Sequence, residues 1–228
     1  MIRWEVPGPY VVGFTTRFGG VSEGPYASLN LGTKRDDPAC VAENRRRACE
    51  ALGLEASRLA VNRQRHSPTV HRAEPGVRDE PGDGLWTDEA GLPLLVLGAD
   101  CVPIAIAAAN GRPALAVVHA GWRGLAEGVV AAAVSALGGG PTAAAVGPAI
   151  GPCCYEVGPE VASRFDADLT RGGILDLWAA AERALRRAGV ARVERVDLCT
   201  RCNPELFFSH RRDGPVRGLQ GVIAAIAG

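Results

Sequence analysis

At 228 residues the chain can bury a large hydrophobic core without needing a covalent staple. Its 25 basic and 25 acidic residues cancel, and 47% of the residues are hydrophobic, so there is no global positive field to hold nucleic acid or an anionic membrane. A small molecule is the expected partner, and nothing here speaks to oligomeric state.

The opening MIRWEVPGPYVVGF has neither a long apolar core nor a small-residue cleavage site, and no stretch of 18 apolar residues follows, so a cytoplasmic protein is expected. The seven cysteines are odd in number and scattered, unlike a secreted disulfide framework, and are expected to be reduced.

Residues 10–17 read as a strand that delivers Arg17 to a loop, FGGVSEGPYASLNLG. The loop's composition leaves backbone N–H groups free to face a ligand, and Arg17 adds a forked anion donor; the bland alternative is an ordinary surface loop. No Walker A or G-x-G-x-x-G pattern occurs. Residues 37–52 read as a helix, with an acidic start, Pro38 in the first turn and Gly53 as a stop. The strand LAVNRQRHS follows, ends at Gln64, Arg65 and His66, and is expected to continue through TVHR. On one continuous strand His66 and His71 would point to opposite faces, so at most one joins a given site.

GDGLWTD reads as a turn into a short strand. It precedes the stretch that organises the chain, LLVLGADCVPIAIAAANGRPALAVVHAGWRGL, running from Leu94 to Leu125. Two apolar runs joined by Asn110-Gly111 predict a hairpin, because Asn-Gly supplies the positive φ values of a tight reversal. The hairpin would bring Cys101 and His119 to one edge of a sheet.

Residues 123–137 read as a helix closed by Gly138-Gly139-Gly140-Pro141. A short strand TAAAVG, helices near 158–166 and 174–188, a strand RVERVDLCT and a last apolar strand GLQGVIAAIAG complete the chain. No repeat or linker divides it, so residues 1–228 read as one domain. Strands outweigh a simple βαβ alternation, which favours an α+β arrangement of mixed layers.

Only four histidines are present. His119 sits where an apolar strand meets a glycine turn. Alone it reads as a satisfied core histidine, and Cys101 alone as core filling. With His66 added, two imidazoles and one thiolate make a set that suits zinc and leaves the fourth tetrahedral position open, as catalytic sites do. The separations of 35 and 18 residues match no short zinc signature. Cys199-x-x-Cys202 is a rival motif, but it has no second pair at suitable spacing and reads as incidental.

The strings TTRFGGVSEGPYASLNLG, RQRHS, GDGLWTD, LGADCVPI, VVHAGWRGL, VGPAIGPCCYEVG and CTRC…FFSHRRDG, in this order, resemble the multicopper polyphenol oxidase or laccase-domain family, whose members are regarded as zinc-dependent purine nucleoside phosphorylases. The resemblance implies a single α+β domain, a layered α/β/β/α sandwich in the fold group of the cytotoxic necrotising factor catalytic domain. It implies a cofactor, Zn2+, held by His66, Cys101 and His119, which would also be the catalytic residues. Arg17 and Asn30 would fall in the pocket for phosphate and nucleoside, and Gln64 is expected to help position sugar or base. Arg65 departs from the apolar residue common before the histidine; on a strand it would face away from His66.

A laccase needs a blue-copper site and a trinuclear cluster, more ligands than four histidines provide, and the only methionine is Met1. Adventitious copper at the His-Cys-His set would give only weak oxidase activity. Adenosine, inosine, guanosine and methylthioadenosine are the implied substrates, with adenosine deamination as a second activity. The rival readings are a cysteine hydrolase or amidase using Cys101 and His119, and a zinc-stabilised binding module.

Overall fold

A computed structural model describes residues 1–108, 112–138 and 141–228, with the side chains of 141 and 142 left aside. The first half contains β1 (Ile2–Arg3), β2 (Tyr10–Phe14), α1 (Pro38–Glu50), β3 (Ala60–Arg63), β4 (Val70–Arg72), β5 (Val77–Pro81), β6 (Gly84–Thr87), β7 (Leu94–Gly98) and β8 (Val102–Ala108). There follow β9 (Ala114–Ala120), α2 (Trp122–Glu127), α3 (Val129–Ala136), β10 (Pro141–Val146), α4 (Pro159–Ala162), β11 (Thr170–Arg171), β12 (Ile174–Leu175), α5 (Leu177–Arg187), β13 (Arg192–Arg195), α6 (His210–Asp213) and β14 (Gln220–Ile226).

Two six-stranded sheets result, ordered β1-β2-β14-β7-β3-β5 and β13-β10-β8-β9-β6-β4. Both are mixed: β3 runs parallel to β5 and β7, β4 to β6, and β10 to β13, while the remaining pairs are antiparallel. The sheets pack face to face through Val12, Phe14, Leu94, Val96, Val222 and Ala224 on one side and Ala105, Ala107, Leu115, Val117 and Ala145 on the other. Alternation along each strand sends Leu95 and Ile223 outward to meet Ala48 and Cys49 of α1. It likewise turns Ile104, Ile106, Ala116 and Val118 toward α3 and α5. The α/β/β/α layering expected above is the observed one.

Helix starts follow local chemistry. Asp37 accepts from the Ala39 amide ahead of Pro38, and Asp176 from the Ala179 amide ahead of α5. α5 buries Leu177, Trp178, Ala181 and Leu185 at helical spacing.

The hairpin of β8 and β9 forms with Ala108 opposite Ala114 and Val102 opposite Ala120. Its Asn110-Gly111 turn lies outside the described residues, as do Gly139 and Gly140.

Several expectations need correction. TVHR does not continue β3: β4 belongs to the other sheet, and His66 lies in the crossover between them with a φ of 61°. The expected helix over 123–137 is interrupted at Gly128, whose φ of 90° only glycine adopts without strain. The helix expected near 158–166 shrinks to Pro159–Ala162, and residues 174–175 pair with β11 instead of starting a helix. Edge strand β5, VRDEP, is exposed throughout, so it carries no apolar alternation by which to be found.

Candidate metal centre and its cavity

β3 and β7 are parallel neighbours in one sheet, and from their adjacent ends the chain crosses to the second sheet twice, toward β4 and toward β8. His66 lies on the first crossover and Cys101 on the second. His119, opposite Pro103 near the end of β9, rises to meet them. Cys101 Sγ is 3.7 Å from His66 Nε2, the two imidazole rings meet edge to face at 4.9 Å, and one ligating atom from each of the three residues falls within a 4.8 Å set. Gly121 permits this closeness, since a Cβ there would stand 2.7 Å from the His66 ring and 3.1 Å from the Cys101 sulfur.

A fully buried carboxylate, Asp83, organises the crossover. Its Oδ1 meets His119 Nδ1 at 2.8 Å and accepts the His66 amide at 2.9 Å, while Oδ2 accepts the amides of Arg65 and Ser67 and the Ser67 hydroxyl. These bonds hold His66 in the left-handed region, which a non-glycine residue occupies at a cost of about 1–3 kcal/mol. Burial by itself would raise the Asp83 carboxyl, but the His119 hydrogen bond and the backbone amides outweigh it and keep the group well below the usual carboxylate range. With Nδ1 committed to Asp83, His119 has Nε2 left for a metal or for Cys101.

Burial would likewise raise the Cys101 thiol, yet His119 and His66 pull it down, and Cys101 in turn raises His119. Each group thus favours the charged form of the other. Next to Cys101, Asp100 has a φ of 89°; its carboxylate accepts the Thr200 hydroxyl and the Arg211 amide, each at 2.6 Å.

The cluster opens onto a cavity of about 250 Å³, lined by His66 and Cys101 together with Trp122, Arg123, Tyr155 and Arg211. Arg123 lies over the Trp122 ring and Arg211 over the Tyr155 ring. Burial and the Cys101 charge push the Tyr155 phenol up to about 12, so it faces the cavity as a neutral donor. His210, the fourth histidine, also lines this cavity, with Nδ1 3.0 Å from the Gly214 carbonyl.

The other expected site residues lie elsewhere. Arg17 donates to the Ala27 and Pro204 carbonyls, packs over Phe208, and lines a separate hollow with Phe18, Ser28 and Glu205. Several N–H groups of its loop are engaged within the fold: Val21 donates to Asn44, Gly20 to the Ser28 hydroxyl and Ser22 to the Ser28 carbonyl. Asn30 is buried and bonded at both ends of its amide, to Gly32, Asp36 and Leu219. Gln64 exchanges two hydrogen bonds with the Leu97 backbone and so extends the β3–β7 pairing. Arg65 is exposed on the crossover, not on a strand, which removes the argument from strand alternation. His71 turns to the Pro81 carbonyl and Glu80, away from the cluster.

Asp83, Trp122, Arg123, Tyr155 and Arg211, which the sequence reading does not single out, each lie within GDGLWTD, HAGWRG, CCYEVG or SHRRDG. A charged or aromatic residue beside a glycine turn in those strings was the available signal.

Residues 11–227 match the family model described as multi-copper polyphenol oxidoreductase laccase. The chain is 37% identical to purine nucleoside phosphorylase YlmD of Geobacillus stearothermophilus, over 96% of this chain and 89% of that protein. It is 38% identical to a purine nucleoside phosphorylase of Pseudomonas aeruginosa, over 92% of this chain and 90% of that one. Among solved structures, a Neisseria meningitidis protein superposes with a TM-score of 0.88 at 34% identity, covering 100% of this chain and 99% of that chain. YlmD itself superposes at 0.86 with 35% identity, covering 96% and 93%. Matched over almost its whole length in sequence and in fold, the chain belongs to the multi-copper polyphenol oxidoreductase laccase family.

Proposed function

We propose that the chain is a zinc-dependent purine nucleoside phosphorylase, which splits a nucleoside with inorganic phosphate into the free purine and ribose 1-phosphate. The observation that carries this reading is the convergence of His66, Cys101 and His119 at the wall of a cavity, supported by relatives named for that activity. Two imidazoles and one thiolate, with a carboxylate behind one imidazole, fit zinc of the catalytic type. Bound there, zinc would act as a Lewis acid toward an anionic oxygen at the reacting centre.

The chain's own groups do the positioning. Arg123 and Arg211, both exposed at the rim, offer guanidinium N–H groups to phosphate, Arg211 keeping one nitrogen on the Glu156 carbonyl. The Trp122 ring offers a face to the purine, and Tyr155 donates a hydrogen bond to sugar or phosphate. Asp83 keeps His119 oriented. In this reading substrate contact passes to these residues from Arg17, Asn30 and Gln64, whose polar atoms are engaged within the fold.

Adenosine and inosine are the first substrates of this reading, with guanosine and methylthioadenosine as further ones. Adenosine deamination, with water in and ammonia out, is its second activity. Metal-free protein should neither release purine in phosphate nor release ammonia without it, and zinc should restore both; full turnover by metal-free protein overturns the scheme. Copper at the same donors would give weak phenol oxidation only, because four histidines do not supply a multi-copper centre.

A second reading draws on the Cys101, His119 and Asp83 series, which has the order of a nucleophile, its base and the group that orients the base. Such a hydrolase keeps its activity in chelator and loses it to iodoacetamide before any metal is lost. A phosphorylase of the proposed kind behaves the opposite way.

A further inference from the structure

The Cys199-x-x-Cys202 turn, which has no partner pair in sequence, has one in space. Cys202 Sγ lies 3.3 Å from Cys154 Sγ and 3.5 Å from Cys153 Sγ, and with Cys199 all four sulfurs stand within 4.8 Å of one another. The partners are the vicinal Cys153-Cys154, 48 residues away from Cys202 in the case of Cys154. β10 and β13 are parallel neighbours, and beyond their ends the two segments stay side by side, shifted by one residue, through the parallel Ala149–Cys199 bridge. That pairing carries the two turns to the same place.

We propose that Cys153, Cys154, Cys199 and Cys202 form a second metal site, a closed tetrathiolate centre for one zinc ion, separate from His66, Cys101 and His119. A zinc–sulfur bond is about 2.3 Å, so a regular tetrahedron has sulfurs about 3.8 Å apart. The Cys202 separations of 3.3 and 3.5 Å fall a few tenths of an ångström short of that value, and the whole set stays within 4.8 Å. Four sulfurs this close enclose a single ion and leave no room for a multi-iron cluster between them.

The surroundings suit a negatively charged centre. The amide of Gly151 donates to Cys199 Sγ at 3.3 Å, the Cys202 amide also points to Cys199, and the Arg201 guanidinium to Cys154. Cys154 and Cys199 are buried while Cys153 and Cys202 are exposed, so the ion would be held from inside the fold and reached from solvent. Binding replaces the thiol protons with the cation and releases them to solvent.

The site has a mechanical consequence. Tyr155, which lines the cavity, follows Cys154 directly, and Thr200, which bonds Asp100 beside Cys101, lies between Cys199 and Cys202. Zinc here would tie these two segments of the cavity surroundings together without touching substrate.

Metal analysis of the full chain, purified without chelator, tests this directly. The parent should hold about two zinc ions per chain, and His119→Ala and Cys153→Ser/Cys202→Ser should each hold about one. Cobalt added to metal-stripped His119→Ala protein should give the intense visible bands of a tetrahedral tetrathiolate, a reading that survives even where the serine variant does not fold. The proposal is overturned if cobalt gives no such bands. It is also overturned if the serine variant keeps the parent's metal content, or if non-reducing peptide mapping of the parent finds Cys202 disulfide-bonded to Cys153 or Cys154. None of these outcomes depends on nucleoside turnover, so the phosphorylase reading stands or falls separately.

Discussion

The two donor clusters of this molecule differ in what stands behind them and in front of them. His66, Cys101 and His119 come from two sheet crossovers and a strand end, lean on the buried Asp83 carboxylate, and open onto a cavity. The four cysteines come from two turns, lean on backbone amides and an arginine, and have no part in that cavity's lining. Three donors with an open side suit chemistry, whereas four donors closed on themselves suit fastening. Ligand number and the face left free, more than ligand identity, separate the two roles.

The sharpest way to break the comparison is to disable each cluster in turn. His119→Ala should lower phosphate-dependent purine release by about a thousandfold or more, roughly 4 kcal/mol of barrier, while the protein stays folded by circular dichroism. Cys153→Ser/Cys202→Ser should keep turnover within a few-fold of the parent. An equal loss in both variants would erase the distinction.

Next in size is Asp83→Asn, which removes the carboxylate but keeps its volume. An amide cannot accept all five donors now gathered on Asp83, so zinc affinity should fall about 10–100-fold in a competition titration. The same variant has a pH signature in metal-free protein. Asp83 is depressed in the folded state, so its contribution to stability is fully present above the unfolded value of about 3.9 and is lost as pH falls toward the folded one. Urea midpoints of parent and variant should therefore converge on acidification below about pH 4. Parallel curves would show that Asp83 does not carry this linkage.

The closed cluster should register in stability instead. Cys153→Ser/Cys202→Ser is expected to lower the thermal midpoint by roughly 5–10 °C, the effect of about 2–3 kcal/mol in a domain of this size. His119→Ala should shift the midpoint less.

The smallest effects concern the rim. Arg123→Ala and Arg211→Ala should each raise the KM for phosphate about tenfold, or about 1.4 kcal/mol, with little change in metal content. Arg17→Ala should leave that KM within twofold of the parent, since its guanidinium is engaged with Ala27, Pro204 and Phe208. A large phosphate effect at Arg17 would return the anion site to its loop.

Two apolar runs and the Asn-Gly signal were enough to read the hairpin that joins Cys101 to His119, because each strand's run is local and its partner is next in the chain. Asp83 was not legible as a hub. Its five donors include three successive amides on a distant crossover, which only form a cradle once β3 and β6 lie in different sheets. For the Arg17 loop, composition reports backbone donors without reporting that Asn44 and Ser28 take those of Val21 and Gly20.

By itself, then, the chain's order of residues determined the class of fold, the principal hairpin, the helix start at Asp37, and the three donors of the open cluster. The tertiary structure alone decided which residues face the cavity and that Cys199 and Cys202 meet Cys153 and Cys154. The reason is physical: periodicity records which face of an element is buried, but the crossings between two stacked sheets, and the neighbours of parallel strands, are settled by packing between segments far apart in sequence.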